Sequence, residues 1–211
     1  MDPLRRCLKD MPIVAILRGI MPEEAPWAFD TLAEAGFRLI EVPLNSPDAL
    51  KSIRLMLQRA TPGMLIGAGT VLTVEQVRQV AGTGAKLIVA PNCDTAVIEA
   101  SSSSGLITLP GVATPTEAFT ALKAGADGLK MFPGELLPPK AVKAWRAVMP
   151  TGTLLMPVGG ITPDNMLDYV TAGADGFGIG SNLYKPGIDA SELATRAQEF
   201  VSRIRDILPE D

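Results

Sequence analysis

Four stretches of the chain repeat one order of small, polar and apolar positions. EAGFRLIEV, GTGAKLIVA, KAGADGLKMF and TAGADGFGIG each pass from small residues through Gly and a polar or small step into a β-rich apolar run. A Gly at the end of a helical pattern supplies the left-handed stop before a strand. The apolar runs are followed by helix-start signals: MPEEA, NSPDAL, LTVEQV, NCDTAV, ATPTEA, LPPKAV and ITPDNM. Pro in a first turn, with Asp or Glu just after it, suits an exposed helix N-terminus.

The pattern predicts eight strands: IVAIL at 13–17, LIEVPL at 39–44, LIGAGTV at 65–71, LIVAP at 87–91, ITLPGV at 107–112, GLKMFP at 128–133, LLMPVGG at 154–160 and GFGIGS at 176–181. A helical pattern lies between each pair. The last helix, around 189–207, carries Leu193, Ala197, Phe200, Val201 and Ile204 on one face. A further short helix is expected at 2–10. Strands alternating with helices imply parallel pairing with right-handed crossovers. Eight such units are the arithmetic of an α/β fold of the (β/α)8 TIM-barrel type, here a single domain over 1–211 with a short N-terminal helix. The competitor is an open doubly wound sheet. Against it, the first turn, ILRGIMPEEA, lacks GxGxxG, and the repeat shows no break where strand order could reverse. SSSSG at 101–105 is too short for a linker.

Composition narrows the chemistry. The 211 residues are 47% hydrophobic and 20% charged, with a formal net charge of −4. That balance argues against a nucleic-acid partner or an anionic membrane surface. There is no histidine, which rules out imidazole metal ligands, His-based triads and His proton shuttles. Cys7 and Cys93 form no CxxC pattern, so neither a zinc site nor a disulfide framework is expected, and both read as ordinary thiols. Acid–base work falls to Asp, Glu, Lys, Tyr or water, and any metal would need a carboxylate or phosphate site. The N-terminal MDPLRRCLKDMPIVAILRGI superficially suggests a signal peptide. Its apolar run is short, however, preceded by Asp10 and interrupted by Arg18, and no run of about 18 apolar residues occurs anywhere. A cytoplasmic protein is expected.

A barrel of this kind keeps its chemistry at the C-terminal ends of the strands. Arg18 ends the first predicted strand; Glu41 lies inside the second, with Asn45 at its mouth; Thr70 closes LIGAGT. Lys130 shares a face with Phe132 in the sixth. The seventh ends in Gly159-Gly160 and the eighth in GIGSN. Each has a bland explanation. A lone Glu or Lys in a strand snorkels, faces solvent or forms a structural ion pair, and Arg18 could simply cap the mouth. Parallel strands in such a fold are nevertheless covered on both faces, so Lys130 in GADGLKMFPGE has no freely wet side. Desolvation favours the free amine. A free amine attacks a ketone to give a Schiff base, which stabilises a carbanion at the adjacent carbon. Glu41 is then placed to carry protons, and the planar fork of Arg18 suits a carboxylate. PVGGITPDN at 157–165 runs strand, paired glycines and helix start, and FGIGSNL at 177–183 repeats the device. Exposed backbone N–H groups there suit a phosphate, although such glycines could also serve only tight turns. The constellation asks for a phosphorylated keto-acid.

PIVAILRGI, EVPLNSP, LIGAGTVL, LIVAPN, LPGVATPTEA, AGADGLKMFP and VGGITPDN, in order and over nearly the whole chain, resemble the blocks of the 2-keto-3-deoxy-6-phosphogluconate aldolase family. The resemblance implies a small (β/α)8 class I aldolase, a homotrimer, with no metal and no cofactor beyond a covalent imine on Lys130. It implies Glu41 as general acid/base, Arg18 and Thr70 at the pyruvate moiety, and Pro91 and Phe132 beside the imine. Gly159, Gly160, Gly180 and Ser181 are implied to hold the phosphate. Gluconate-specific members read EVTLRT at the second strand and carry Thr before the paired glycines. Asn45 in EVPLNS and Val158 in MPVGGI look instead like the galactonate branch, which cleaves the phosphorylated keto-acid to pyruvate and D-glyceraldehyde 3-phosphate. The alternatives are the gluconate epimer or dual specificity and, in other classes, a phosphate-barrel isomerase or a non-catalytic binder of keto-acid or phosphate. FPGE, with Gly134 after the Phe-Pro pair, departs from the FPA or FPS of the family.

Overall fold

The computed structural model describes residues 2–208; Met1 and 209–211, the ends of the expected 1–211 span, lie outside them. The strands are β1 (Ile13–Ile16), β2 (Leu39–Pro43), β3 (Leu65–Gly69), β4 (Leu87–Val89), β5 (Ile107–Leu109), β6 (Gly111–Val112), β7 (Leu129–Met131), β8 (Leu155–Pro157) and β9 (Phe177–Ile179). The helices are α1 (Pro3–Asp10), α2 (Ala25–Ala35), α3 (Ala49–Leu57), α4 (Val74–Ala81), α5 (Thr95–Ser103), α6 (Pro115–Lys123), α7 (Pro139–Arg146), α8 (Met166–Thr171) and α9 (Ala190–Ile207).

Local chemistry explains where the helices begin. Thr73 and Thr114 each form a capping box with the residue three positions on, Gln76 and Glu117. Asp94 and Asp189 cap α5 and α9 through their side chains. Each supplies an acceptor to backbone N–H groups that the helix itself leaves unpaired. All five apolar residues expected on one face of the last helix are buried.

All strand pairs are parallel, in two sheets ordered β5-β4-β3-β2-β1-β9 and β6-β7-β8. A single parallel bridge, Val158 to Gly178, links the end of β8 to β9. One expectation is corrected: ITLPGV is not one strand. β5 pairs with β4 through Leu109, β6 pairs with β7 through Gly111, and Pro110 stands between them. Proline has no N–H to continue a ladder. Its carbonyl still accepts from Lys130 N at 2.9 Å.

Side-chain alternation sorts the strands into two layers. Ile13, Ala15, Ile40, Val42, Ile66, Ala68, Leu129 and Phe177 pack outward into the main core with the helices. The alternate set, Val14, Leu39, Leu65, Leu87, Val89, Leu109 and Met156, forms a second cluster with Leu4, Cys7 and Leu8 of α1. Because strand side chains alternate, the residue two beyond Leu39 faces this inner cluster as well. That residue is Glu41. Among the described residues no helix is long and apolar enough to cross a membrane.

Candidate active site

Glu41 is only 1% exposed and Lys130 5%. They share a narrow apolar pocket walled by Val14, Ile16, Val89, Leu109, Met156 and Val158, with about 10 Å³ of free volume. That is room for about one water. Burial pushes the Glu41 carboxyl up to about 7, against the opposing pull of the Lys130 and Arg18 charges. Burial likewise holds the Lys130 amine below its ordinary value; the Glu41 charge opposes this and Arg18 adds to it. Both shifts share one cause, the loss of water around a charge. Glu41 Oε2 has no hydrogen-bond partner, and Lys130 Nζ lies 4.8 Å from the centroid of the Phe132 ring.

The backbone facing Glu41 is Gly69, at the end of β3. A Cβ built there would lie 1.9 Å from Glu41 Oε2, so the carboxylate occupies space that only glycine leaves open. Gly69→Ala is expected to lower stability by about 1–3 kcal/mol, the usual cost of overpacking. A thermal melt checks this, and an unchanged Tm would mean that the carboxylate lies elsewhere.

Above Lys130 a second cavity of about 130 Å³ opens. Arg18, Phe132, Gly159, Gly160, Gly180 and Ser181 all line it, as does Val158. Lys130, Ile16, Val158 and Gly178 line both spaces. Lys130 thus stands at the junction, with an apolar chamber holding Glu41 on one side and a polar cavity on the other. Gly159 and Gly160 have φ of 107° and 66°, a left-handed pair that turns the backbone sharply behind β8. Two asparagines brace this end. Asn165 Nδ2 donates to the Gly160 carbonyl at 2.9 Å, and Asn182 Nδ2 donates to the Ile161 carbonyl at 2.7 Å, tying the turn after β9 to the turn after β8.

The remaining candidates lie at the same strand ends but not on the cavity wall. Arg18 Nη1 donates to Asn45 Oδ1 at 2.8 Å, so the cation on the wall is held by a residue beyond it. Thr70 has φ 54°, an outlier for a β-branched residue, directly after the glycine that faces Glu41. The backbone of Pro91 lies against Gly111, where an added Cβ would meet the Pro91 carbonyl at 2.3 Å. The expected second strand–glycine–helix device is corrected. After Gly180 the chain makes one turn, with Leu183 N and Tyr184 N donating to the Gly180 carbonyl at 2.8 and 2.9 Å, and α9 begins only at Ala190.

Sequence reasoning missed Glu135, Asn165 and Asn182. Glu135 lines the larger cavity. Its only signal was its place two residues after Pro133, in the segment singled out for Gly134. Among the described residues no group of three or more His, Cys, Asp or Glu side chains converges as a metal site.

Comparison with known proteins gives a consistent result. Residues 4–199 match the family described as KDPG and KHG aldolase. A protein named probable 2-dehydro-3-deoxy-6-phosphogalactonate aldolase, from Rhizobium meliloti (strain 1021), is 48% identical over 188 residues, covering 89% of each chain. The 2-dehydro-3-deoxy-6-phosphogalactonate aldolase of Escherichia coli (strain K12) is 44% identical, covering 93% of this chain and 96% of that one. A solved structure described as native KDPGal superimposes with a TM-score of 0.92 at 44% identity, covering 93% and 96% of the two chains.

Proposed function

The chain belongs to the KDPG and KHG aldolases, and from that premise we propose that it is a class I aldolase cleaving 2-dehydro-3-deoxy-6-phosphogalactonate reversibly to pyruvate and D-glyceraldehyde 3-phosphate. The observation that carries this reading is Lys130, buried yet at the junction between the Glu41 chamber and the cavity bearing Arg18 and the Gly159–Gly160 turn.

Each step has a residue suited to it. The Lys130 amine adds to the C2 ketone, and the carbinolamine loses water to give an iminium. Removal of the C4 hydroxyl proton then breaks the C3–C4 bond. The bonding pair passes into the iminium as an enamine, and the aldehyde departs. Protonation at C3 and hydrolysis release pyruvate and restore the amine. The iminium supplies the electron withdrawal, so no metal is needed. Glu41 is the proton carrier, suited to giving and taking protons by a carboxyl poised near neutrality. Arg18, tethered by Asn45, pairs with the substrate carboxylate. Phe132, on the cavity wall with Lys130, belongs to the pyruvate end; Thr70 and Pro91, off that wall, are assigned there by the resemblance alone. Gly159, Gly160, Gly180 and Ser181 hold the phosphate.

Two features support reading both sheets as one closed (β/α)8 barrel in a single domain. The chain passes from β5 to β6 through one residue, Pro110, and the Val158–Gly178 bridge joins the other edges. The homotrimer and the cytoplasmic location rest on the sequence reading alone.

Incubation with pyruvate and borohydride tests the proposal. A reduced adduct mapped to Lys130 is expected. An unmodified chain would point to an isomerase or to a binder that forms no imine.

The galactonate preference rests on Asn45 and Val158 and on the names of the two relatives. Val158 is 7% exposed and lines both spaces beside Lys130. Exchanging its methyl for a hydroxyl adds one polar contact, worth about 0.5–1.5 kcal/mol net. Val158→Thr is therefore expected to move the kcat/KM ratio between the C4 epimers toward gluconate by about twofold to tenfold. No movement would remove Val158 from the explanation.

A further inference from the structure

The phosphate end of the cavity contains a carboxylate. Gly134 opens a short 3-10 turn, 134–136, that packs against the turn after β8: Gly134 N donates to the Val158 carbonyl at 2.7 Å. A Cβ at Gly134 would lie 2.4 Å from the Gly159 carbonyl oxygen and 3.0 Å from that of Val158. The turn comes this close only because residue 134 has no side chain, which accounts for FPGE where the resembling family reads FPA or FPS. From behind, the Tyr169 hydroxyl donates to the Gly134 carbonyl at 3.3 Å.

The close approach sets Glu135 against both glycines. Its Oε2 lies 2.5 Å from where a Cβ on Gly159 would stand, and its Cγ lies 3.0 Å from the corresponding point on Gly160. Among the described residues, Arg18 and Lys130 are the cations lining the same cavity, and burial together with the Glu135 charge pushes the nearby Tyr169 hydroxyl up. Neither cation forms an ion pair or hydrogen bond with Glu135 among those described. An unpaired carboxylate beside backbone suited to an anion repels an incoming dianion.

We propose that Glu135 is a displaceable stand-in for the distal phosphate, its carboxylate lying on the Gly159–Gly160 turn so that a phosphorylated ligand must drive it aside to bind. Glu135 is exposed, so it can swing out without unpacking the core. Its role is to weaken affinity at the phosphate end, which raises KM and speeds departure of the phosphorylated aldehyde. The inference rests on the reading of this turn as the phosphate site.

Inorganic phosphate is the probe, scored as a competitive inhibitor of cleavage between pH 6 and 8 in wild type and Glu135→Gln. Removing one exposed like charge a few ångström from a dianion is expected to tighten phosphate inhibition by roughly threefold to tenfold at pH 8. The gain should shrink toward pH 6 as phosphate takes up a proton, a trend that a merely structural role would not produce. Equal inhibition of both proteins at every pH, or weaker inhibition of the variant, overturns the assignment of Glu135. Failure of phosphate to compete with substrate in either protein overturns instead the phosphate site on which it rests.

Discussion

Lys130→Ala loses aldolase turnover to the background of the assay and no longer yields a borohydride-trapped pyruvate adduct. The expected fall is at least about 10⁴-fold, the upper end of what a single acid–base group contributes, because the variant lacks the covalent route and not merely one stabilising contact. The fold should survive. Lys130 sits 5% exposed at a junction of two spaces, and replacing a desolvated amine with a methyl removes a burial cost. The measurement is therefore paired: kcat by coupled assay, and a thermal melt showing a folded chain. Near-normal cleavage by a folded Lys130→Ala protein would end the assignment of the imine to this residue.

Glu41→Gln is the second large effect, and it separates catalysis from stability. For catalysis, loss of the proton carrier is expected to lower kcat about 10²- to 10⁴-fold. The wild-type pH–rate profile should show an apparent pKa close to 7, belonging to the Glu41–Lys130 pair rather than to either group alone. The variant should lack it. For stability, the direction is reversed. The folded-state value of about 7 lies above the ordinary 4.5, so the folded chain holds this proton more tightly than the unfolded chain does. The associated stability is complete below about pH 4.5 and is lost as pH rises through about 7. Gln cannot ionise and does not suffer that loss. The advantage of the variant in Tm over wild type should therefore grow between pH 4.5 and 7 and level off above. Its ceiling is on the order of 1–3 kcal/mol, the opposing Lys130 and Arg18 charges being already included in the carboxyl's position near 7. A variant less stable than wild type at pH 8 would show that the carboxylate is not desolvated in the way the structure places it.

Much of this layout was readable from residue spacing, and the exceptions have definable causes. Alternation alone carries Leu39 to Glu41, Val14 to Ile16 and Met156 to Val158, because one strand face repeats every second residue. The positions of β1 to β4 and β7 to β9 follow from the same regularity. Pro110 was visible in ITLPGV, but its effect depends on which neighbour needs an N–H at that point, and this is decided by strands distant in sequence. The tether between Arg18 and Asn45 joins two loops 27 positions apart, a contact that no local pattern encodes. Thr70 reads as the tidy end of a strand, whereas its left-handed backbone belongs to the turn that follows. Nothing in LIGAG sets Gly69 apart from its small neighbours, and the need for glycine there comes from the Glu41 carboxylate lying against it. Glu135 escaped notice because its position depends on how closely two turns approach each other, which Gly134 determines.

The packing of α1 has a consequence for traffic. Leu4, Cys7 and Leu8 pack into the inner cluster, and the Glu41 chamber adjoins the cavity bearing Arg18 and the Gly159–Gly160 turn at Lys130. On the proposed chemistry, the three-carbon fragment stays bonded to the wall at depth while the phosphorylated half lies nearer the exit. The aldehyde must therefore walk out first, and in synthesis it must come in last. The order of the queue is set by which half of the substrate stays bonded to Lys130.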